Sequence, residues 1–265
     1  MKDVTYLLPC RIESEDRLRN VITSITYIMK CFPEAKVIVK EVDTQSHFSE
    51  SALPRIKSYV GDTSQLKHIF EQSSEKLFHK TRILNDLCVA ADTPILYNHD
   101  VDVVVLKNSH ELAYRAITKE GSDAVYPFGC GIYQWAVTYS DILLDKFLSS
   151  HDGTDADYEV LKDAKVRIPS SIGWGQMITK SCEVSCGLWN EEFLSWGAED
   201  CEFYYRLNLF GFKVGRVIDD IYHFEHGRTF NSHYHNPKFQ DNDRLWNWIR
   251  TQDKESLTKY YGTLD

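Results

Sequence analysis

The sequence predicts an α/β fold: one domain with a mostly parallel central sheet flanked by helices. Three observations support this prediction. Short apolar runs alternate with longer amphipathic stretches along the chain, as a sheet covered by helices requires. The first runs form a strand–helix–strand unit, a connection that places its two strands parallel. The 265 residues contain no internal repeat, low-complexity tract or linker, so we expect a single domain over 1–265.

The first part of the chain is predicted to contain most of the sheet. A helix is expected over 15–30, because its apolar residues recur at helical spacing from Leu18 and Val21 to Ile28. Segment 46–65 is predicted to be an irregular connection. In chain order, the expected elements are a strand at 4–8, this helix, strands at 36–42 and 66–70, a helix at 75–91 and a strand at 95–97.

A polar stretch, Asn98-His99-Asp100-Val101-Asp102, follows the last of these strands. Ligands of open α/β sheets bind beyond the carboxyl ends of the strands, where this stretch falls. Asp100 and Asp102 are two residues apart, so their carboxylates point to the same side if the backbone stays extended. Such a pair suits Mn²⁺ or Mg²⁺, which bind oxygen ligands and bridge to substrate phosphates. The plain alternative is a solvated acidic turn.

The second part of the chain is more mixed. Polar segment 154–167 is expected to be a loop, and the aromatic-rich segment 244–261 is expected to cover the core. Gly173-Trp174-Gly175-Gln176 precedes a short apolar run. The expected elements are strands at 124–126, 132–138 and 213–218, and a helix that segment 193–200 opens, that runs through Phe210 and that Gly211 terminates.

The segment Trp196-Gly197-Ala198-Glu199-Asp200 places two acids in the first turn of that helix. Helix capping alone explains one of them. Catalysis would need a carboxylate beside an acceptor hydroxyl, with a flat aromatic residue and a small residue next to it, and Trp196 and Gly197 supply those. A helix N-terminus lowers the pKa of an aspartate, so partial burial must offset this effect if Asp200 is a base.

Two histidines, His223 and His226, lie close together after the last predicted strand, with Arg228 just beyond them. A lone histidine is usually structural. Two within one short segment suit the completion of a metal site, and the arginine suits phosphate.

The composition argues against several classes of function. The formal net charge is −9, so broad attraction to nucleic acid or anionic lipid is not expected. No stretch has the ~20 apolar residues of a membrane span, and the acidic N-terminal segment is not a signal peptide, so we expect a cytoplasmic protein. Peripheral contact with the inner face of the membrane stays open. Most of the seven scattered cysteines are expected to be small buried residues in a reducing compartment.

These segments, in this order, resemble GT-A glycosyltransferases, which have a Rossmann-like fold. The later segments resemble the β-1,4-galactosyltransferase group and bacterial chondroitin-polymerase-type enzymes. Asp100 and Asp102 match the family's DxD motif, and Trp196 to Asp200 resembles its WGGED with Ala198 in place of a glycine. The resemblance covers most of the chain. It implies a Mn²⁺- or Mg²⁺-dependent enzyme of glycan or polysaccharide synthesis that moves a sugar, with inversion, from a UDP-sugar to a carbohydrate or glycolipid hydroxyl.

The resemblance also implies roles for individual residues. Asp200 would be the general base and Glu199 would bind sugar hydroxyls. Asp100 and Asp102 would hold the metal together with His226 if the galactosyltransferase pattern applies, or with His223 if the chondroitin-polymerase pattern applies. Residues 1–106 would form the nucleotide-binding half and 107–265 the acceptor-binding half. Donor contacts would come from Pro9, Arg11, Asp43, Lys80, Arg82, Asn85, Asp100 and Arg228, and acceptor contacts from Gly173, Trp174, Trp196 and Gly197.

Three other functions compete with this one. A retaining enzyme like the polypeptide N-acetylgalactosaminyltransferases has a related WGGEN motif, and Asp200 argues against it. A nucleotidyltransferase would need a glycine-rich basic loop after the first strand, which 9–13 is not. A non-catalytic carbohydrate-binding or scaffold protein on the same fold agrees less well with the intact acids at 100, 102, 199 and 200.

Overall fold

The computed structural model describes residues 1–138, 140–168 and 171–263. The strands are β1 (Val4–Cys10), β2 (Lys36–Asp43), β3 (Leu66–Gln72), β4 (Ile95–His99), β5 (Val103–Val105), β6 (Ala124–Tyr126), β7 (Gln134–Val137), β8 (Lys165–Arg167), β9 (Gly175–Thr179), β10 (Val214–Arg216) and β11 (Ile221–Phe224). The helices are α1 (Glu15–Cys31), α2 (Leu53–Val60), α3 (Lys80–Ala90), α4 (Lys107–Glu120), α5 (Asp141–Ser149), α6 (Lys180–Ser185), α7 (Glu199–Phe210), α8 (Phe239–Ile249) and α9 (Lys254–Tyr261).

The central sheet has seven strands in the order β10-β6-β9-β4-β1-β2-β3. Strand β1 is parallel to both β2 and β4, β2 is parallel to β3, and β6 is parallel to β10. Only β9 among the described strands of this sheet runs antiparallel to its neighbours, β4 and β6. The predicted α/β class with a mostly parallel sheet flanked by helices is confirmed.

The first strand–helix–strand unit follows directly from its residues. All seven residues of β1 are buried, as a strand covered on both faces requires. Ser14 caps α1 by accepting a hydrogen bond from the backbone N–H of Arg17, and the apolar stripe through Val21 and Ile25 is fully buried. Each such buried aliphatic side chain contributes about 1.5–3 kcal/mol to folding.

Three element predictions differ from the structure. Segment 46–65 is not irregular: a π-helical turn over Phe48–Ala52 leads into α2, because Phe48 and Ile56 are buried against the core. Helix α3 begins at Lys80, later than predicted. The polar segment 154–167 contains a 3₁₀ turn over Tyr158–Leu161 and ends in strand β8.

A second sheet, β5-β11-β7-β8, covers one end of the domain. Strand β11 runs antiparallel to β5, with His223 opposite Val103. The backbone N–H of Phe224 donates to the carbonyl of Asp102 at 2.8 Å. This pairing brings the histidine segment to the acidic turn, although more than a hundred residues separate them in sequence.

The C-terminal helices cover the core, as predicted: Ile249 and Leu257 are fully buried and pack with Phe193. Among the described helices, none has the length and apolar character to cross a membrane. The division into a nucleotide-binding and an acceptor-binding half, and the cytoplasmic location, stay predictions.

Candidate functional site

A cleft opens at the carboxyl edge of β1 and β4 and enters the second sheet beside β11. Its cavity volume is about 180 Å³, and it is open to solvent on one side. Most of the predicted site residues line it. They are Pro9, Arg11, Lys80, Asp100, Asp102, Trp174, Trp196, Glu199, Asp200, His223, His226 and Arg228.

The two acids of the DxD motif separate after the end of β4. The backbone leaves the extended conformation and turns at 101–102. Asp100 points to α3, where its Oδ1 lies 3.0 Å from Nζ of Lys80, while Oδ2 of Asp102 lies 3.2 Å from Nε2 of His226. The backbone does not stay extended here, so the condition under which both carboxylates would point to the same side is not met. The turn sends Asp102 to the histidines and Asp100 to a lysine.

Asp102, His223 and His226 form the candidate metal centre. One potential ligand atom from each lies within 4.8 Å of the others, and Nε2 of His223 is 3.7 Å from Oδ2 of Asp102. Both histidines belong to this cluster, whereas the sequence left the choice between them open. Asp100 lies outside this cluster, beside Lys80, and its role as a metal ligand stays a prediction.

The residues present fit a divalent transition metal. The second ring nitrogen of each histidine is already engaged: Nδ1 of His223 lies 3.0 Å from Glu225, and Nδ1 of His226 lies 2.9 Å from the carbonyl of Gly227. Such contacts hold the tautomer that leaves Nε2 free to bind a metal. Oδ1 of Asp102 is buried without a hydrogen-bond partner. Two imidazoles and a carboxylate are a donor set that suits Mn²⁺ and its neighbours.

The electrostatics of this centre favour a charged carboxylate. Burial raises the pKa of Asp102. The adjacent His223 and His226 outweigh this effect and hold the pKa of Asp102 well below its usual value. Burial lowers the pKa of His223, whereas Asp102 and Glu225 raise it, and the net shift is upward. The carboxylate and the two imidazoles thus attract one another in the absence of an ion.

Glu199 and Asp200 lie across the cleft, in the first turn of α7 as predicted. Lys80 stands between the acids, with its Nζ 3.4 Å from Oδ1 of Asp200 and 3.8 Å from Oε1 of Glu199. The other oxygen of Glu199 accepts a hydrogen bond from the backbone N–H of Gly197 at 2.9 Å. Glu199 therefore also holds the loop that precedes its own helix.

Burial decides the pKa of Asp200. Removal from water is the largest effect and raises the pKa; Lys80 lowers it, and Glu199 and Asp100 raise it further, to about 7. The helix N-terminus therefore does not make this carboxyl a weak base. Burial lowers the pKa of Lys80, but Asp100, Asp200 and Glu199 raise it well above its usual value, so the ammonium stays charged.

Gly173 is required beside Asp200 for steric reasons. A Cβ at this position would lie 2.2 Å from Oδ2 of Asp200, well inside van der Waals contact. The neighbouring carbonyl of Trp174 accepts a hydrogen bond from the backbone N–H of Asp100 at 3.1 Å. Gly173 and Trp174 thus connect the acidic turn with the helix that carries Asp200, and both predicted residues are at the site.

Unusual backbone conformations concentrate around the cleft. Of the four non-glycine residues with positive φ among the described residues, Trp174 (87°), Ser195 (60°) and Ala198 (66°) lie in the two segments beside Asp200. Gly197 has a φ of 136°, which only glycine adopts readily. Strain of this kind costs about 1–3 kcal/mol per residue and is typical of functional sites.

Besides Lys80 and Asp100, four predicted donor residues lie in the cleft, beside it or at its rim. Pro9 and Arg11 line the cleft at the end of β1, and Arg11 donates from Nε to the carbonyl of Val42 at 2.9 Å. Asp43 lies in an adjoining hollow that shares Arg11 with the cleft. Arg228 stands at the rim, half-exposed, 3.8 Å from Glu225.

Two predicted donor residues, Arg82 and Asn85, line neither the cleft nor the adjoining hollow. Arg82 forms an ion pair with Glu71 of β3 at 2.6 Å. The Nδ2 of Asn85 donates to the carbonyl of Trp189 at 3.0 Å. On a helix, residues two and five positions after Lys80 point away from the face that Lys80 occupies, so the helix itself turns them from the site.

Several cleft residues were not predicted from the sequence, and Arg17 and Asn231 are the most informative of them. Arg17 lies in the first turn of α1, beside the end of β1. This position in the sequence could have indicated that Arg17 lines the cleft. Asn231 accepts from the backbone N–H of Phe78 at 2.9 Å and donates to Glu13 at 2.9 Å. No local sequence pattern predicts such long-range contacts. The other missed lining residues are Glu13, Phe78, Val101, Ser171, Ser195 and Ser232.

Comparisons with known proteins agree with the fold. A scan against protein-family models and a search of curated proteins give no match. Mannosyltransferase PcManGT from Pyrobaculum calidifontis, solved with GDP-Man and Mn²⁺, aligns with a TM-score of 0.58 at 13% identity, over 98% of this chain and 67% of that chain. S. aureus TarS 1-349, solved with UDP-GlcNAc, aligns with a TM-score of 0.59 at 14% identity, over 95% and 67%.

The catalytic domain of Drosophila β1,4-galactosyltransferase 7, solved with xylobiose, aligns with a TM-score of 0.46 at 15% identity, over 80% of this chain and 63% of that chain. The chain thus spans about two thirds of the length of these solved chains. At 13–14% identity, the similarity to the mannosyltransferase and to TarS concerns the fold. This chain therefore has the fold of the mannosyltransferase and of TarS, and the GT-A fold that its sequence predicts is confirmed.

Proposed function

We propose that this protein is a metal-dependent glycosyltransferase that moves a sugar from a nucleotide-sugar donor, a UDP-sugar first of all, to a hydroxyl of a carbohydrate or glycolipid. One observation carries the proposal. The cluster of Asp102, His223 and His226 and the carboxylates of Glu199 and Asp200 line the same cleft, at the sheet edge where α/β folds bind ligands. The nucleotide sugars bound in the solved structures of the same fold support a nucleotide sugar as the donor.

In the proposed reaction, Asp200 takes the proton of the acceptor hydroxyl. The oxygen then attacks the anomeric carbon, and the bond from that carbon to the diphosphate breaks. Attack from the face opposite the diphosphate inverts the configuration, which ¹H NMR of the product tests. A base with a pKa of about 7 is well matched to neutral pH. Glu199 holds the Gly197 backbone and has one oxygen directed to Lys80.

The cationic groups of the cleft suit a diphosphate. A divalent ion bound by Asp102, His223 and His226 would neutralise charge on the leaving diphosphate. Lys80 is a charged ammonium between Asp100 and Asp200, and Arg228 offers a guanidinium at the rim. In this arrangement Asp100 contributes to donor binding through Lys80.

Asp102→Asn tests the metal and donor assignments together. An amide oxygen is a weak, neutral ligand, and loss of even an outer-sphere partner of a metal typically costs about 10–100-fold in affinity. We therefore expect Mn²⁺ affinity to fall by at least about 100-fold and donor turnover to be lost. Calorimetric Mn²⁺ binding and hydrolysis of UDP-glucose, UDP-galactose, their N-acetyl forms and GDP-mannose, with Mn²⁺ or EDTA, give the two readouts.

The matched control is Asp92→Asn, the same chemical change at an exposed residue that pairs with Lys36 away from the cleft. It should leave both readouts within about twofold of wild type, because an exposed ion pair contributes little. Wild-type protein that binds none of the five donors in the presence of Mn²⁺ would contradict the proposal and favour a carbohydrate-binding protein.

Gly173→Ala tests the position of Asp200. The added methyl group would overlap the carboxylate, so Asp200 must move, and a displacement of about 1 Å can cost about 100-fold in rate. We expect kcat to fall by about that factor while Mn²⁺ affinity stays near wild type. Gly215→Ala is the control, because its Cβ would make only ordinary contacts with Val125. Equal transfer rates for the two variants would contradict the prediction.

A further inference from the structure

An aromatic cluster continues the cleft beyond Asp200. Trp196 lines the cleft and is 38% exposed, whereas Tyr234 lies farther out and is 66% exposed. Their ring centroids are 5.8 Å apart, with the planes nearly perpendicular. Phe239 packs against both rings, at 5.7 Å from Trp196 and 4.8 Å from Tyr234. A solvent-facing aromatic surface therefore begins at Trp196 in the cleft and includes Tyr234 outside it.

The backbone beneath this cluster is held by buried amides. Nδ2 of Asn236 donates to the carbonyls of Leu194 and Trp196 at 2.8 and 2.7 Å. Nδ2 of Asn242 donates to the same two carbonyls at 3.0 and 3.3 Å. Both asparagines are almost fully buried, at 3% and 1% exposure. Because each carbonyl accepts from two buried donors, the position of Trp196 is built into the fold rather than left to a free loop.

We propose that Trp196 and Tyr234 form a binding site for a second sugar unit, so that the acceptor is a glycan of at least two units. The reacting unit would lie at Trp196 beside Asp200, and the next unit would stack on Tyr234. This inference rests on the proposed transferase function, and it adds the substrate class.

The chemistry of the cluster favours a carbohydrate over other occupants. Sugar rings present flat C–H faces that pack on aromatic rings, while indole and phenol groups offer polar edges to hydroxyls. The surface is contiguous with the carboxylates that would activate the acceptor, so an occupant of Tyr234 can be covalently continuous with the reacting unit. By contrast, the exposed pair of Trp248 and Tyr260 does not line the cleft.

The test compares acceptors that differ by one unit. The probes are xylose and xylobiose, N-acetylglucosamine and its disaccharide, galactose and its disaccharide, and mannose and its disaccharide, each with Mn²⁺ and the active donor. Aromatic contacts contribute enough for about a 3- to 10-fold effect. For at least one pair, wild-type kcat/KM should be about 3- to 10-fold higher with the disaccharide. In Tyr234→Ala this ratio should fall to about 1.

Two variants and one assay separate the explanations. Tyr234→Phe keeps the ring and should keep the disaccharide advantage, whereas Trp248→Ala removes an exposed ring outside the cleft and should change nothing. A melting temperature for Tyr234→Ala near that of wild type shows that the fold is intact. Donor hydrolysis without acceptor reports the transferase function separately.

The proposal is overturned if no pair shows an advantage for the disaccharide while donor hydrolysis is normal. It is equally overturned if Tyr234→Ala lowers kcat/KM for both members of a pair by the same factor. Loss of donor binding and hydrolysis in wild-type protein would instead reject the transferase function on which it rests.

Discussion

Asp200→Asn should lower kcat by about 10²- to 10⁴-fold, the usual contribution of a general base, while donor and Mn²⁺ binding stay within a few fold of wild type. The amide has nearly the same shape as the carboxylate and cannot take a proton. Its oxygen can still accept from Lys80, which lies 3.4 Å from Oδ1. Gly173 leaves the necessary space for either side chain. Single-turnover transfer rates and calorimetric binding give the two quantities.

The pH profile identifies the same group independently. Asp200 must be deprotonated to act as a base, and burial raises its pKa to about 7. The rate should therefore rise with pH and level off above about pH 7, and Asp200→Asn should lose this limb. A variant that keeps a transfer rate within threefold of wild type, with the same pH profile, would contradict the assignment.

The same pKa shift makes a prediction for stability. The pKa of Asp200 is higher in the folded state than the ordinary value of 3.8, so folding favours its protonated form. The resulting stabilisation is fully present below about pH 4 and is lost as the pH rises through about 7. Between pH 4 and 8 the melting temperature of wild type should therefore fall relative to that of Asp200→Asn. A proposed catalytic carboxyl that lowers stability at neutral pH fits the frequent conflict between activity and stability.

Glu202→Ala should destabilise the protein by about 3–5 kcal/mol, the usual effect of removing one partner of a buried ion pair. Arg206 is fully buried, and its Nε and Nη2 donate to the two oxygens of Glu202 at 2.7 and 3.0 Å. The guanidinium also stacks over the ring of Tyr261, at 3.9 Å from the centroid. Without Glu202, this buried charge lacks its counter-charge. Because domains are stable by only about 5–15 kcal/mol, the loss is a large fraction.

Two further variants show that the unpaired charge causes this effect. The double replacement Glu202→Leu with Arg206→Met removes both charges and should cost far less than Glu202→Ala, since hydrophobic replacements of buried pairs are often neutral. Tyr261→Phe removes two hydrogen bonds, one that the hydroxyl donates to Glu202 at 2.8 Å and one that it accepts from Asn190 at 3.0 Å, and should cost about 2 kcal/mol. Urea unfolding measures the free energy of unfolding of all three variants. A cost below about 1 kcal/mol for Glu202→Ala would contradict the prediction.

The ion pair also bears on the site. Glu202 and Arg206 lie on α7, the helix whose first turn carries Glu199 and Asp200. Arg206 donates to the carbonyl of Cys186 after α6, and Tyr261 ends α9. The pair thus anchors α7 to two other helices. Its loss should raise the temperature sensitivity of transfer as well as lower the stability of the fold.

The sequence by itself determined the fold class and the positions of the main segments. Alternating apolar runs predict β1, α1 and β2 within one or two residues, because strand and helix periodicities are local properties of the chain. The place of the acidic motif after β4, and the helix that opens at Glu199, follow from the same local signals.

Only the tertiary structure decided how these segments meet. The turn after His99 sends Asp100 to Lys80 and Asp102 to the histidines, and the pairing of β11 with β5 brings both His223 and His226 to Asp102. Burial raises the pKa of Asp200, and this carboxyl lies against Gly173 and Lys80, which are distant in sequence. Backbone direction after a strand, and the surroundings of a carboxyl, depend on long-range packing, which no local periodicity records.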